Sequence, residues 1–156
     1  MLNNQVTMKA IDALNLHKVL GDLKDLSNID SASRIGIVKN ILILKKVSEE
    51  LSEILQDARE RVKPEGYDEL VQKAEKHNES IAKGEGKVMT DEEVSLLNIK
   101  TNKYNSELEK VIQDFQNKEY ELELNTISED TFDKLSVDNK LSSSQCIVLY
   151  SLVENQ

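Results

Sequence analysis

Covalent catalysis by a thiol or hydroxyl needs a nucleophile beside a base that is itself held in orientation. The chain supplies one cysteine, Cys146, and two histidines, His17 and His77. Cys146 lies in the apolar run Cys146-Ile147-Val148-Leu149. A thiol packed there keeps its proton and stays inert, so packing is the expected role. His17 has apolar neighbours and is expected at a core boundary, whereas His77 stands among polar residues and is expected to be solvated. With no histidine pair at i, i+4 and no second cysteine, the ligand set of a closed zinc site is missing. The glycines of Lys83-Gly84-Glu85-Gly86-Lys87 lack the spacing of a phosphate loop, and Glu85 would repel a phosphate. That segment reads as a plain loop, open to motion or cleavage.

Carboxylates are the one reactive group in excess. Glu50-Leu51-Ser52-Glu53 and Glu65-Gly66-Tyr67-Asp68 place acids at i, i+3, where two carboxylates share a helix face and could chelate a hard cation. These two short motifs resemble the ExxE and ExxD pairs of the all-helical nucleotide pyrophosphohydrolases. The resemblance implies that Glu50, Glu53, Glu65 and Asp68 hold magnesium against a triphosphate. The helical wheel opposes it: Glu53 falls almost opposite the apolar stripe of its helix and Glu50 about a quarter turn away, so both should face water. Glu65 follows Pro64 on a first helical turn, where the helix dipole already explains an acid. No cofactor is expected, and a non-enzymatic role is preferred.

The charge is uneven. In all, 20 Lys+Arg stand against 29 Asp+Glu, a net charge of -9. Residues 1–46 carry 7 basic and 4 acidic groups, whereas residues 119–156 carry 2 basic and 8 acidic. The acidic balance disfavours nucleic-acid polymers and anionic membranes. It favours a protein partner, a basic one above all, steered toward the acidic third between Glu119 and Glu154. Glu119, Glu121 and Glu123 are the first candidates for that contact. Arg34, Lys39 and Lys45 offer a different reading, in which bases from several subunits converge on a small anionic nucleotide.

These groups need elements to position them. Leu16, Val19, Leu20, Leu23 and Leu26 mark a first helix over about 7–26, with Thr7 as its cap. Ser27 to Ser31 reads as a turn, and a long helix follows over about 33–62. Its first half is apolar on every side, at Ile35, Val38, Leu42 and Ile43 besides the main stripe, and is expected to be enclosed. Pro64 separates it from a third helix over about 65–82. Thr90-Asp91-Glu92-Glu93 is a capping box opening a fourth over about 90–117. Leu96 and Ile99 fall off that helix's stripe and, with Ile35, Leu42 and Ile43, form an apolar surplus that a homo-oligomer would bury.

The period then becomes two. Glu119-Tyr120-Glu121-Leu122-Glu123-Leu124 alternates strictly, a strand over about 119–127. It needs a partner, for which Leu2 to Val6 or Lys87 to Thr90 are the best segments. Short helices over about 128–135 and 143–154 complete the chain. The fold expected is mainly α: one domain spanning 1–156, a helical bundle with two long helices, the second and fourth packed antiparallel, and one short β-strand or hairpin. The lone cysteine and the lack of a leader-like first segment suggest a cytoplasmic protein.

The segments Leu20-Gly21-Asp22-Leu23-Lys24, Ser33-Arg34-Ile35, Leu51-Ser52-Glu53-Ile54-Leu55 and Leu149-Tyr150-Ser151-Leu152-Val153-Glu154 set a pattern. Together with the Glu-rich strand, it is similar to the small, mostly helical accessory proteins of tailed bacteriophages. The resemblance implies an assembly factor or an inhibitor of a host defence system, acting in the host bacterial cytoplasm. It supplies no site residue.

Overall fold

Strict alternation leaves one side of a strand apolar, and the strand must bury that side against something. Glu119–Asn125 does so as β2, paired antiparallel with β1 (Asn3–Lys9). Val6 stands opposite Leu122, Met8 opposite Tyr120 and Thr7 opposite Glu121. The computed structural model describes residues 3–154, so Leu2, the start of the expected partner segment, lies outside the described residues. Among the described residues six helices accompany the two strands: α1 (Ala10–Asp22), α2 (Ser31–Arg61), α3 (Tyr67–Ala82), α4 (Asp91–Gln116), α5 (Glu129–Asp138) and α6 (Ser143–Tyr150). The protein is mainly helical with one small antiparallel β element. No helix among the described residues is long and apolar enough to cross a membrane.

The chain forms two compact units, one comprising residues up to Ser52 and from Asp114 onward, the other Glu53–Gln113. The first holds most of the buried apolar side chains. Ala13, Leu16 and Leu20 of α1, Ile37 and Leu44 of α2, and Leu124, Leu135 and Leu149 are its best-covered residues. Ile127, beyond β2, bridges in parallel to Val153, its N–H donating to the Leu152 carbonyl at 2.9 Å. The second unit has few fully buried apolar side chains, Ala58 and Met89 among them. It relies on ring contact between Tyr67 and Tyr104, at 5.2 Å, and on Tyr104 Oη donating to the Arg59 carbonyl at 3.0 Å.

Several element ends depart from the sequence expectation. Thr7 does not cap α1; it lies in β1, because pairing with β2 claims the chain as far as Lys9. α1 stops at Asp22 rather than near Leu26, where the Asn139 Oδ1 accepts the N–H groups of Lys24 and Asp25, both at 2.8 Å. α3 begins at Tyr67, not at Glu65, because Gly66 adopts a left-handed φ of 72° before it. β2 ends at Asn125, short of 127, and α6 ends at Tyr150. The first half of α2 is not enclosed within this chain either: Ile35, Val38 and Leu42 are 53%, 50% and 58% exposed. Helix capping does follow the sequence, with Thr90 accepting from the Glu93 N–H and a complete capping box between Ser142 and Gln145.

A fully buried polar residue interrupts the apolar face of α2. Asn40 is fully buried and reaches the end of β2. Its Nδ2 donates to the Asn125 carbonyl at 2.9 Å, and its Oδ1 accepts both the Asn125 N–H, at 2.8 Å, and the Asn125 side-chain amide, at 3.1 Å. The side chain thus stands in for a neighbouring strand at that one residue. Replacing Asn40 with Ala leaves buried backbone groups unpaired and should lower stability by about 3 kcal/mol. Urea unfolding measures this, and a loss below about 1 kcal/mol would show that water replaces the amide without difficulty.

Candidate functional site

The two-stranded sheet has two unlike faces. Val6 and Met8 of β1, with Tyr120, Leu122 and Leu124 of β2, belong to the inner face. Glu119, Glu121 and Glu123 all stand exposed on the outer face, across from Lys9, Thr7 and Gln5. Gln5 Nε2 donates to Glu121 Oε2 at 3.3 Å. Three carboxylates spaced two residues apart on one open face form a concentrated negative patch.

The edge of β2 is equally informative. Successive residues of a strand direct their N–H and C=O groups to opposite sides, and the Ala10 N–H donates to the Lys118 carbonyl at 2.8 Å. The Lys118 carbonyl and the backbone groups of Tyr120, Leu122 and Leu124 therefore point toward the β1 side. Asn125 points the other way, into Asn40, and Glu121 and Glu123 share its direction. Their backbone groups face away from β1, along the free edge of β2.

α2 runs beside that edge, from Asn40 near Asn125 to Glu50 near Tyr120. Glu50 fixes the far end with both oxygens. Oε1 pairs with Lys118 Nζ at 2.5 Å, and Oε2 accepts from Tyr120 Oη at 2.6 Å. Lys118 Nζ also lies 5.0 Å from the centre of the Tyr120 ring. Its bonds to Lys118 and then Tyr120 hold the Glu50 carboxyl below the usual glutamate range. The bond to Glu50 raises the Lys118 ammonium above the usual lysine range. Burial, followed by the bond to Glu50, raises the Tyr120 phenol. Between these two ties an open groove of about 380 Å³ lies along β2, with Ile43, Lys46 and Val47 on one side and Leu122 on the other.

Glu50 was expected to face water with Glu53, but is half-buried because Lys118 and Tyr120 claim it. Asp68 accepts from Lys63 at 3.2 Å, while Glu53 and Glu65 are exposed. Among the described residues, no three His, Cys, Asp or Glu side chains are grouped so that they could hold a metal ion. Arg34, Lys39 and Lys45 are all exposed on α2. Arg34 and Lys45 fall within about 20° of one line along the helix, with Lys39 roughly 140° from Arg34. In the second unit, Leu96 and Ile99 are 45% and 64% exposed on α4. Cys146 and His17 are both half-buried.

Three residues with structural roles escaped the sequence reading. Asn40 carries no motif or spacing that marks it. Lys118 stands between the fourth helix and the strand, with nothing in the sequence to pair it with Glu50. His77 is half-buried rather than solvated, its Nδ1 accepting the N–H groups of Val88 and Met89 at 3.0 and 2.9 Å. It thereby ties down the chain after the glycine loop, which Ser80 Oγ also holds by donating to the Gly86 carbonyl at 2.8 Å. The only hint in the sequence was the proximity of His77 to that loop.

The Glu50 tie predicts a pH dependence. A carboxylate whose folded pKa is depressed adds stability above its unfolded pKa, and this is lost as pH falls through the folded value. The stability difference between wild type and Glu50→Gln should therefore be largest near neutrality and shrink in acid below the ordinary glutamate range. It should shrink again in strong alkali, as Lys118 and Tyr120 lose their protons. Urea unfolding across pH tests this, and a difference that is constant with pH would contradict the tie.

Comparison of this chain with models of protein families, with curated proteins and with solved structures gives no match. The groove, edge and acidic face of the β2 region are thus the observations from which a function can be argued.

Proposed function

We propose that this chain is a non-enzymatic binding protein that acts through protein–protein contacts, with the outer face of β2 as its recognition surface. The observation that carries the reading is the row Glu119, Glu121 and Glu123. All three are exposed on one face of a strand, with Lys9 across from Glu119 in register. A partner with basic side chains in a matching row would be steered onto that face and held in register there. The roles implied by the phage resemblance, inhibitor of a host system or assembly factor, both require such a surface. Exposed Ile35, Val38 and Leu42 on α2 add a second, apolar surface in the same unit, suited to another protein or another copy of this chain.

Simultaneous reversal to Glu119→Lys, Glu121→Lys and Glu123→Lys tests the reading. Partners that co-purify with the tagged wild-type protein would be identified by mass spectrometry and their affinity measured with purified components. The triple variant should bind at least about tenfold more weakly, because like charges then meet across the contact. Its unfolding temperature should change little, since the three side chains are exposed. Unchanged affinity would remove the acidic face from the contact.

A further inference from the structure

An unpaired strand edge is a row of donors and acceptors waiting for another strand. In β2 that row consists of the N–H and C=O groups of Glu121 and Glu123, which face away from β1 and have no hydrogen-bond partner among the described residues. Asn40 satisfies the same edge one step further along, at Asn125, through a side-chain amide that copies the bonds of a strand. Beyond Asn40 the edge opens onto the groove containing Ile43, Val47 and Leu122. Open backbone groups, an apolar channel beside them and a charged face above them coincide at one place.

We propose that the free edge of β2 takes up an extended segment of a partner protein as a third strand, and that this segment alternates apolar and basic residues. The inference rests on the protein-binding reading above and specifies how the acidic face is used. Main-chain hydrogen bonds to Glu121 and Glu123 supply the pairing, and side chains on either side of the added strand supply the selectivity. On one side they enter the groove against the apolar side chains of Ile43, Val47 and Leu122, where an apolar residue is favoured. On the other side they lie next to Glu121 and Glu123 on the outer face, where a base forms opposite-charge pairs across the strands.

Charge also decides against a second copy as the occupant. Two β2 edges paired antiparallel would set the glutamates of one copy against those of the other on a single face, and like charges across a ladder are destabilising. On the free edge of β1, Gln5 and Thr7 are uncharged and Lys9 is basic, so that edge does not select basic residues.

The probe is a seven-residue peptide alternating lysine with valine, blocked at both ends. The control peptide has the same composition with its lysines and valines in separate blocks. Calorimetry should show binding of the alternating peptide to the intact protein and clearly weaker binding of the control. Two variants then separate pairing from charge. Glu123→Ala removes a carboxylate but keeps the N–H. Glu123→Pro removes both, and proline is tolerated at an edge position whose N–H points outward. Strand addition predicts a further loss of about tenfold or more for Pro relative to Ala, since the ring removes a donor and obstructs the edge. In the wild-type protein the peptide should also slow amide exchange at Glu121 and Glu123, which keeps the test decisive should the Pro variant fail to fold. Equal affinity of the Pro and Ala variants, with no added protection, would overturn strand addition while leaving contact through the acidic face intact. Equal binding of the two peptides, or no binding of either, would overturn it as well. Failure of the broader reading shows separately, in an unaltered affinity of the triple charge reversal for its co-purified partner.

Discussion

A two-stranded sheet has two edges, and each must be covered, filled or left open. Here one side-chain amide draws the line on β2. Asn40 closes the edge at Asn125 and fixes α2 next to the strand. Without that bond a buried asparagine on the apolar face of α2 would be a liability, and so would the buried backbone of Asn125. Together each satisfies the other. Among the described residues no buried side-chain polar atom lacks a partner.

The second tie, Glu50 to Lys118 and Tyr120, acts through charge where Asn40 acts through shape. It bonds α2 to the start of β2 and holds the Tyr120 phenol on the inner side of the sheet. The groove lies between the two ties, and its width follows from side chains on both walls rather than from a loop. A channel walled by a helix and a strand is already shaped before a partner arrives. That lowers the ordering cost of binding for the protein, though not for an extended partner.

Much of this was legible in the residues. Strict alternation from Glu119 to Leu124 identified β2, and the same alternation put its three glutamates on one face. The need for a partner strand pointed to the N-terminal segment as one of two choices, and Thr7 went astray because a cap and a strand residue look alike in sequence. The surplus of apolar residues at Ile35, Val38 and Leu42 was visible, but its exposure was not, since periodicity reports which residues are apolar and not what covers them. The ties themselves could not be read. Asn40 and Asn125 are 85 residues apart, and Glu50 and Tyr120 are 70, so only the packed chain brings them together. The same holds for the edge: alternation tells which side chains share a face, whereas the direction of the backbone groups depends on the register with β1.

Residue-resolved amide hydrogen exchange in the free protein tests the edge geometry most directly. Exchange should be slow at Tyr120 and Leu122, whose N–H groups bond to β1, slow at Asn125, whose N–H bonds to Asn40, and fast at Glu121 and Glu123 between them. Uniform protection along β2 would show that the edge is already covered, and would contradict a docking edge there.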